Sequence, residues 1–282
     1  MNGEKVTCRF LHNGVLLCAP QFDVAQIAES GQCFRIAQLD GGGFLAVTGQ
    51  HFVKITVVET GGYVFHCSWG DFRDVWVPYF DLSADYEMYQ SRMTGDLFLV
   101  EAIKVGGGIR MLRQDLWEMV VTFVISQRNN IPRIRSAVET LCKEFGSSLG
   151  KVDGKVIYSF PTAEQLRGAD LSCASLGYRE KYIKALCDLE PDFWRGLTIQ
   201  EDDEAKKSLL SLTGVGEKVA NCIMLFGLHR MNSYPRDVWI NRLIDDVYGG
   251  EFDPSVYEGF AGYVQQLQFY YYRTLNKGVK ED

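Results

Sequence analysis

The hydrophobic pattern of the chain changes once, near Asp71, and this change most constrains the fold. Six short stretches rich in β-branched and aromatic side chains come first, separated by NG, GGG and GG turns: VTCRFLH, VLLCA, CFRIA, GFLAVTG, HFVKITVVE and YVFHCSW. After Asp71, apolar residues recur at helical intervals, as Leu116, Val120 and Phe123 do. This order predicts an α+β fold, an N-terminal antiparallel β-sheet domain followed by an α-helical domain, rather than alternating βα units.

The glycine triplet at 106–108 is the best candidate for a domain boundary. It predicts a β-rich N-terminal domain with flanking helices over residues 1–108 and a helical domain over residues 109–282. Within the first domain, Asp23 is placed to cap a short helix in VAQIAES. A chain of 282 residues can bury two such cores without disulfides or metals.

The cysteines and the N-terminus indicate an intracellular protein. The eight cysteines form no CxxC pair and no zinc-ligand spacing, so no metal site is predicted. The first 15 residues lack the basic and apolar layout of a signal peptide, and no apolar run is long enough to span a bilayer. We expect reduced thiols and a cytoplasmic location, associated with the nucleoid if the cell is bacterial.

Charge is distributed unevenly along the chain. The net charge of −7 disfavours an all-over coat of nucleic acid, because binding phosphate needs cations. Acidic residues are concentrated in 188–204 and 245–258, whereas RNNIPRIR (128–135) carries three arginines and no acid. A local basic face on an acidic protein is therefore compatible with the sequence.

The segment LTGVGEKVANC (212–222) predicts two helices joined by a tight turn, a helix–hairpin–helix over about 205–229. In the turn, Gly214, Val215 and Gly216 present backbone N–H groups beside a helix N-terminus, an arrangement that suits a phosphate oxygen. The same residues also suit a plain corner between helices, with glycine chosen for positive φ.

Two charged residues near this turn are candidates for chemistry. Lys218 lies in the first turn of the second helix, where the helix dipole disfavours a protonated amine, and an amine nucleophile must be neutral. Cys222 follows one turn later on the same face. Asp237, in YPRDVW, is placed to cap the next helix and could approach the lysine. An ordinary solvated lysine and a purely structural cap are the alternatives.

Taken together, these motifs resemble the helix–hairpin–helix DNA glycosylases, and among them the 8-oxoguanine DNA glycosylases. The similar segments keep the family's order and span most of the chain: GQCFRI (31–36), LRQDLWEMVVTFVISQRNNIPRI (112–134), LGYREKY (176–182), GVGEKVANC (214–222) and AGYVQQLQFYY (261–271). The resemblance implies a base excision repair enzyme that binds double-stranded DNA containing oxidised guanine and flips the damaged nucleotide out.

The resemblance also implies roles for residues. Lys218 would attack the sugar C1′ and give a Schiff base, from which β-elimination provides lyase activity, and Asp237 would assist. The carbonyl of Gly31 would read the lesion, Phe269 and Cys222 would flank the flipped base, and Gln265 would bind its Watson–Crick edge. The residues that would wedge the duplex and read the opposite cytosine are Arg128, Asn129, Arg133, Tyr178 and Arg179. No cofactor is required, a monovalent cation is expected at the hairpin carbonyls, and a monomer is the default.

The sequence departs from the family pattern at two positions. Arg128 stands where the animal enzymes have the first of three asparagines, and Trp239 stands where they have a histidine. Arg133, Tyr178 and Arg179 match the family, so some preference for cytosine opposite the lesion is expected, and the phosphate contact of that histidine is not expected.

Two alternatives remain open at this stage. One is a monofunctional glycosylase of the same fold that removes alkylated bases with an activated water. The other is a helix–hairpin–helix module that binds DNA without catalysis.

Overall fold

A computed structural model describes residues 6–59 and 61–276. The outer ends of the two predicted domains, residues 1–5 and 277–282, lie outside the described part. The strands are β1 (Thr7–Leu11), β2 (Gly14–Cys18), β3 (Ile36–Gln38), β4 (Phe44–Thr48), β5 (His51–Val57), β6 (Tyr63–Phe65), β7 (Ser148–Val152) and β8 (Lys155–Tyr158). The first six form an antiparallel sheet in the order β1-β2-β6-β5-β4-β3. The predicted N-terminal sheet is thus confirmed.

Helices make up most of the chain after residue 68, and one helix, α1, lies within the strand-rich part before it. They are α1 (Val24–Glu29), α2 (Trp69–Asp71), α3 (Val77–Tyr79), α4 (Tyr86–Ser91), α5 (Leu97–Gly106), α6 (Leu116–Ile125), α7 (Ile131–Phe145), α8 (Ala163–Leu166), α9 (Glu180–Cys187), α10 (Pro191–Ile199), α11 (Asp202–Leu210), α12 (Glu217–Phe226), α13 (Val238–Tyr248) and α14 (Ala261–Leu275). A π-helical turn spans Phe72–Trp76, and 3₁₀ turns span Ser172–Ala174, Gly177–Arg179 and Pro254–Tyr257. The α+β fold class is confirmed.

Local sequence signals explain where the helices begin. The carboxylate of Asp23 accepts a hydrogen bond from the Gln26 backbone N–H at 3.0 Å and caps α1, as predicted. Asn130 caps α7 in the same way through the Arg133 N–H. Such side-chain caps satisfy backbone donors that have no partner within the helix, and each stabilises the helix by about 1 kcal/mol.

The two largest apolar clusters form the main cores of the protein. One face of the sheet, with Val53 and Ile55 of β5, packs against α1 and the segment 72–82. The larger core surrounds α6, whose residues 118–125 are all buried, as expected for a central helix. Phe34 is buried in the helical core, whereas Ile36 is buried in the sheet core. The segment 31–36 therefore joins the two cores.

The glycine triplet at 106–108 is a tightly packed turn. Gly106 is the last residue of α5, and the Gly108 N–H donates to Gln26 Oε1 at 2.8 Å. A Cβ on Gly108 would lie 2.5 Å from the Cβ of Asp23, so no larger residue fits there. The turn anchors α1 to the end of α5. The predicted domain boundary at this turn stays a prediction.

One hairpin was not predicted from the sequence. Strands β7 and β8 pair as an antiparallel ribbon whose turn is Asp153 and Gly154, both at positive φ. An Asp-Gly pair between β-prone residues is a strong local hairpin signal and would have predicted it. Along the part of the chain that the structure describes, no helix has the length and apolar character needed to cross a bilayer.

Candidate active site

A cleft of about 800 Å³ opens between the segment 31–34, the α6–α7 loop and helices α12, α13 and α14. It brings together predicted site residues from five separate motifs. These lining residues are Gly31, Arg128, Asn129, Arg133, Lys218, Cys222, Asp237, Gln265 and Phe269. Five other predicted residues, Tyr178, Arg179, Gly214, Val215 and Gly216, do not line the cleft and lie on elements next to it.

Lys218 lies half-buried in the first turn of α12 and projects into the cleft. Its Nζ donates to Ser126 Oγ at 3.3 Å and lies 5.5 Å from the centre of the Phe123 ring. Ser126 is the C-cap of α6, and its hydroxyl donates to the Phe123 carbonyl at 2.8 Å. The serine oxygen is therefore turned toward the lysine, and α6 fixes the direction in which the amine points.

Cys222 is one turn further along α12 and is 3% exposed. Burial raises the pKa of its thiol to about 11, although the nearby Lys218 lowers it. The thiol is therefore neutral at physiological pH, and the thiolate is the nucleophilic form of cysteine. The Cys222 side chain therefore lines the cleft without competing with the Lys218 amine as a nucleophile.

Asp237 caps α13, because its Oδ1 accepts from the Ile240 N–H at 2.8 Å. This predicted role is confirmed. Burial is the largest effect on the carboxyl group and raises its pKa, whereas the Ile240 N–H and the charge of Lys218 lower it. The carboxyl group therefore lines the same cleft as Lys218 from a largely buried position, where charges interact strongly with one another.

The hairpin between α11 and α12 depends on Gly214. Its φ is +85°, and a Cβ there would lie 2.4 Å from the Tyr182 ring, so only glycine fits. The Gly214 carbonyl accepts from Gln127 Nε2 at 2.9 Å, which ties the hairpin to the rim of the cleft. Gly216 is the N-cap of α12 and provides no side-chain cap. The N–H groups of this first turn are therefore open to an external anion.

Arg179 supports the loop after α6 through hydrogen bonds to the backbone of the loop. Its guanidinium donates to the carbonyl of Gln127 and, at 2.9 Å, to that of Arg128. Arg128 itself is exposed and has a φ of +45°. Tyr178 is 45% exposed, and the guanidinium of Arg179 lies 4.7 Å from the centre of its ring. Arg179 therefore supports the loop, and its predicted contact with the opposite cytosine remains a prediction.

Gly31 and Phe269 form the end of the cleft next to the sheet. Gly31 has a φ of +82°, and a Cβ there would lie 2.9 Å from Phe269 Cε1. The neighbouring Gln32 is fully buried, and its amide oxygen accepts from the Leu112 N–H at 2.8 Å while its amide nitrogen donates to the Arg110 carbonyl at 3.0 Å. This clamp fixes the backbone of Gly31 against the helical domain.

The lining of the cleft is basic although the chain is acidic overall. Five cations and one acid line it: Lys218, Arg128, Arg133, Arg236, Arg242 and, as the acid, Asp237. In a chain of net charge −7, this concentration confirms that a local basic face exists. Such a cleft attracts a polyanion to one surface only.

Two expectations concern the surroundings of the cleft. Trp239, at the position where the animal enzymes have a histidine, is half-buried, and its ring centre lies 6.1 Å from that of Tyr272. No cluster of His, Cys, Asp and Glu in residues 6–59 and 61–276 could hold a metal ion. Hairpin carbonyls could still bind a monovalent cation, which stays a prediction.

Sequence reasoning missed three residues that hold the site together: Gln32, Ser126 and Gln127. Each acts through a bond to a distant segment, such as the one between Gln127 and Gly214, which are 87 residues apart. All three lie within the segments that resemble the family, 31–36 and 112–134, and that resemblance is the signal that could have found them.

The hairpin, the lysine and the aspartate around one basic cleft define a helix–hairpin–helix DNA glycosylase. Residues 15–120 match the family model described as the N-terminal domain of 8-oxoguanine DNA glycosylase. The N-glycosylase/DNA lyase of Saccharomyces cerevisiae is 37% identical over 153 residues, which is 48% of this chain and 41% of the yeast protein. The chain thus spans less than half the length of that relative.

Two solved structures match nearly the whole chain. That of MBOgg1 in complex with a low-affinity DNA ligand is 32% identical, with a TM-score of 0.88 over 97% of this chain and 100% of that one. The 8-oxoguanine glycosylase/lyase of Clostridium acetobutylicum, in complex with double-stranded DNA containing cytosine opposite 8-oxoguanine, is 27% identical, with a TM-score of 0.86 over 98% and 100%. The chain belongs to the 8-oxoguanine DNA glycosylase family.

Proposed function

We propose that this protein excises 8-oxoguanine from duplex DNA through a Schiff base on Lys218 and then cleaves the strand by β-elimination. The observation that carries this proposal is the convergence of Lys218, Asp237 and Gly31 on one basic cleft. Each residue has a distinct chemical task, and the three lie on different elements that only the folded chain brings together.

The first step is displacement of the base. The neutral amine of Lys218 attacks C1′, a C–N bond forms, and the bond from C1′ to the base breaks, so that the base leaves with the bonding electrons and takes up a proton. The sugar develops positive charge in this step, and the carboxylate of Asp237 stabilises that charge. The nitrogen carries a surplus proton once the C–N bond has formed, and the carboxylate of Asp237 accepts that proton after its charge has stabilised the transition state.

The second step follows from the covalent bond. Opening of the sugar ring gives an imine between Lys218 and C1′, which acidifies the proton on C2′. Removal of that proton breaks the bond from C3′ to its oxygen, and the 3′ phosphate leaves. Water then releases the lysine. One amine therefore supports both glycosylase and lyase activity.

Recognition of the lesion rests on one carbonyl group. 8-Oxoguanine carries a hydrogen at N7, whereas guanine has a lone pair there. A backbone oxygen of Gly31 pointing at N7 attracts the lesion and repels the normal base. In a closed pocket such a mismatch costs about 1–3 kcal/mol or more. The Gln32 clamp holds this backbone in place.

Side chains around the flipped base complete the pocket. The ring of Phe269 and the neutral thiol of Cys222 both line the cleft and would stack on the two faces of the base. Gln265, 4% exposed on α14, offers an amide to its Watson–Crick edge. An amide carries both a donor and an acceptor, which suits the mixed edge of a guanine-type base.

The remaining contacts hold the duplex. First-turn N–H groups of α12 bind a phosphate without reading sequence. Arg128, on the supported loop, fills the gap left by the flipped nucleotide, and Arg133 and Tyr178 contact the opposite strand, with some preference for cytosine. The cleft is complete within one chain, so a monomer suffices. A cytoplasmic location also remains a proposal.

Covalent trapping tests this proposal. The protein is incubated with duplex DNA containing 8-oxoguanine opposite cytosine, and borohydride is added to reduce the imine. We expect a protein–DNA adduct that Lys218→Gln abolishes. Lys104→Gln is the matched control, because Lys104 is 63% exposed in α5 and pairs with Glu101. Its adduct yield should equal that of the unaltered protein.

Each other outcome selects a different function. Absence of an adduct with the unaltered protein would refute the Schiff base. Excision that survives in Lys218→Gln would indicate an activated water, as in a monofunctional glycosylase. Binding of the DNA without excision of the base would indicate a helix–hairpin–helix module that has no catalytic activity.

A further inference from the structure

Three buried glutamines on α14 differ in how their amides are satisfied. Gln268 is fully buried and fully bonded: its Oε1 accepts from the Tyr234 hydroxyl at 2.5 Å, and its Nε2 donates to the Tyr248 oxygen at 3.1 Å. This is the ordinary way in which a polar side chain is accommodated in a core. Gln268 therefore needs no functional explanation.

Gln266 is different. It is 2% exposed, and its Nε2 donates to Gln265 Oε1 at 3.0 Å. Its own Oε1 is buried and has no hydrogen-bond partner among the described residues. A buried acceptor without a donor destabilises a fold, and an apolar residue of similar size would avoid this cost. Gln266 also lines the cleft beside Gln265. An unmet acceptor therefore borders the space that the lesion enters.

We propose that Gln266 is a second base-reading amide, which orients Gln265 and accepts a hydrogen bond from the 2-amino group of the flipped base. The inference rests on the proposed function and specifies its substrate class. The hydrogen bond from Gln266 fixes which end of the Gln265 amide is an oxygen. That oxygen has a second lone pair, which accepts the N1–H of a guanine-type base.

The edge of the lesion then matches the two amides. A guanine-type base presents an oxygen at C6, a hydrogen on N1 and an amino group at C2. Gln265 supplies the donor and one acceptor, and Gln266 supplies the second acceptor. An 8-oxopurine without the 2-amino group leaves the Gln266 oxygen unpaired in a dry pocket. The substrate class is therefore 8-oxopurines that carry a 2-amino group.

The test compares two bases that differ only in that group. Single-turnover excision rates are measured on duplexes with 8-oxoguanine or 8-oxohypoxanthine opposite cytosine. We expect the unaltered protein to prefer 8-oxoguanine by about tenfold or more, the factor of one well-placed hydrogen bond in a closed site. In Gln266→Met, which keeps the volume and removes both polar atoms, the ratio should fall to within about twofold.

Two further variants make the result decisive. Gln268 lies on the same helix as Gln266, and Gln268→Met removes its hydrogen bonds to Tyr234 and Tyr248. This variant should therefore lower Tm and leave the ratio of the two excision rates unchanged. Gln266→Ala tests the same ratio with a smaller side chain, should methionine disturb packing. Circular dichroism and Tm establish that each variant is folded.

The outcomes separate the two proposals. Normal excision of 8-oxoguanine with an unchanged ratio in both Gln266 variants would overturn this inference and would mean that a buried water satisfies the amide oxygen. A loss of selectivity in Gln268→Met equal to that in Gln266→Met would also overturn it, since general loosening of α14 would then be the cause. Failure of the unaltered protein to excise 8-oxoguanine at all would overturn the proposed function, and this inference with it.

Discussion

The side chains of Lys218 and Ser126 are joined by a hydrogen bond of 3.3 Å between Nζ and Oγ. The bond crosses from the first turn of α12 to the C-terminal cap of α6, two elements separated by 92 residues of sequence. It orients the amine because the serine hydroxyl is itself fixed by the Phe123 carbonyl. Positioning of the nucleophile is thus assigned to a residue outside the hairpin.

Removal of this hydroxyl should slow the covalent step without unfolding the protein. In Ser126→Ala the amine keeps its place on α12 but loses one fixed partner, so we expect the single-turnover excision rate to fall by about tenfold or less. DNA affinity should change little, because no phosphate contact is removed. Stopped-time trapping with borohydride measures the rate, and Ser211→Ala, on an exposed serine that caps α11, is the control. An unchanged trapping rate would show that the bond does not position the lysine.

Asp237→Asn should separate activity from stability. Asparagine also caps helices, so α13 keeps its first turn, and the excision rate should fall by about 10²–10⁴-fold as the charge is lost. Because burial raises the pKa of the Asp237 carboxyl, the folded state disfavours the ionised form. The stability that this group contributes is therefore lost as pH rises through its raised pKa. At pH 7.5 the Tm of the variant should be equal to or above that of the unaltered protein.

The raised pKa of Asp237 also predicts how the excision rate falls at acidic pH. Catalysis needs the ionised carboxylate, and the raised pKa of Asp237 means that protonation begins at a higher pH than for an exposed aspartate. Single-turnover excision rates should fall as pH decreases through that value. A rate that stays constant down to about pH 4, the ordinary range of aspartate, would contradict this role.

Gly31→Ala should close the lesion pocket. The methyl group would lie 2.9 Å from Phe269 Cε1, and the positive φ of +82° strains any L-residue. We expect loss of detectable 8-oxoguanine excision and a decrease of about 1 kcal/mol in the free energy of unfolding. Gly41→Ala is the matched control in the turn between β3 and β4, where a Cβ meets nothing within 4 Å. If the two variants excised 8-oxoguanine at equal rates, Gly31 would have no role in the lesion pocket.

Sequence could place the elements and the two charged residues because the signals for them are local. Caps, glycine turns and periodicity located α1, α6, α12 and α13, and with them Lys218 and Asp237. The β7–β8 hairpin also had a local signal, its Asp-Gly turn, which was overlooked. Placement of Gly31 in the same cleft came from resemblance, since a glycine alone indicates only a turn.

Contacts between distant segments could not be predicted in this way. The bond from Lys218 to Ser126 and the clamp of Gln32 on Arg110 and Leu112 depend on how helices pack, and no spacing along the chain encodes them. Arg179 shows the limit of prediction by position. Its guanidinium is bonded to backbone carbonyls of the loop that carries Arg128, a contact that no local signal indicated, while its contact with the opposite strand stays a prediction.

Arg128→Asn should sharpen the preference for cytosine. Arginine offers only donors, so it binds acceptors on any opposite base, whereas an asparagine amide can pair with both a donor and an acceptor of cytosine. The positive φ of +45° at Arg128 is one that asparagine tolerates well, so Tm should not fall. We expect the ratio of excision rates opposite cytosine and adenine to rise severalfold. A ratio that stays the same would place the discriminating contact elsewhere, for instance at Arg133.

Glu118→Gln should show that ionisation of a buried glutamate in α6 lowers the stability of the folded protein as pH rises. Glu118 is 6% exposed in α6, and burial raises the pKa of its carboxyl to about 7, while Arg35 lowers it and Asp115 raises it. Since the folded-state pKa is raised, the stability from this group is present below the ordinary pKa of 4.5 and is lost as pH rises to about 7. That interval corresponds to about 3 kcal/mol at most. The glutamine variant does not ionise, so its Tm should exceed that of the unaltered protein by several degrees at pH 8, and most of this difference should vanish near pH 5. A difference of the same size at both pH values would mean that Glu118 remains ionised in the folded protein at pH 5, stabilised by Arg35 more strongly than burial destabilises it.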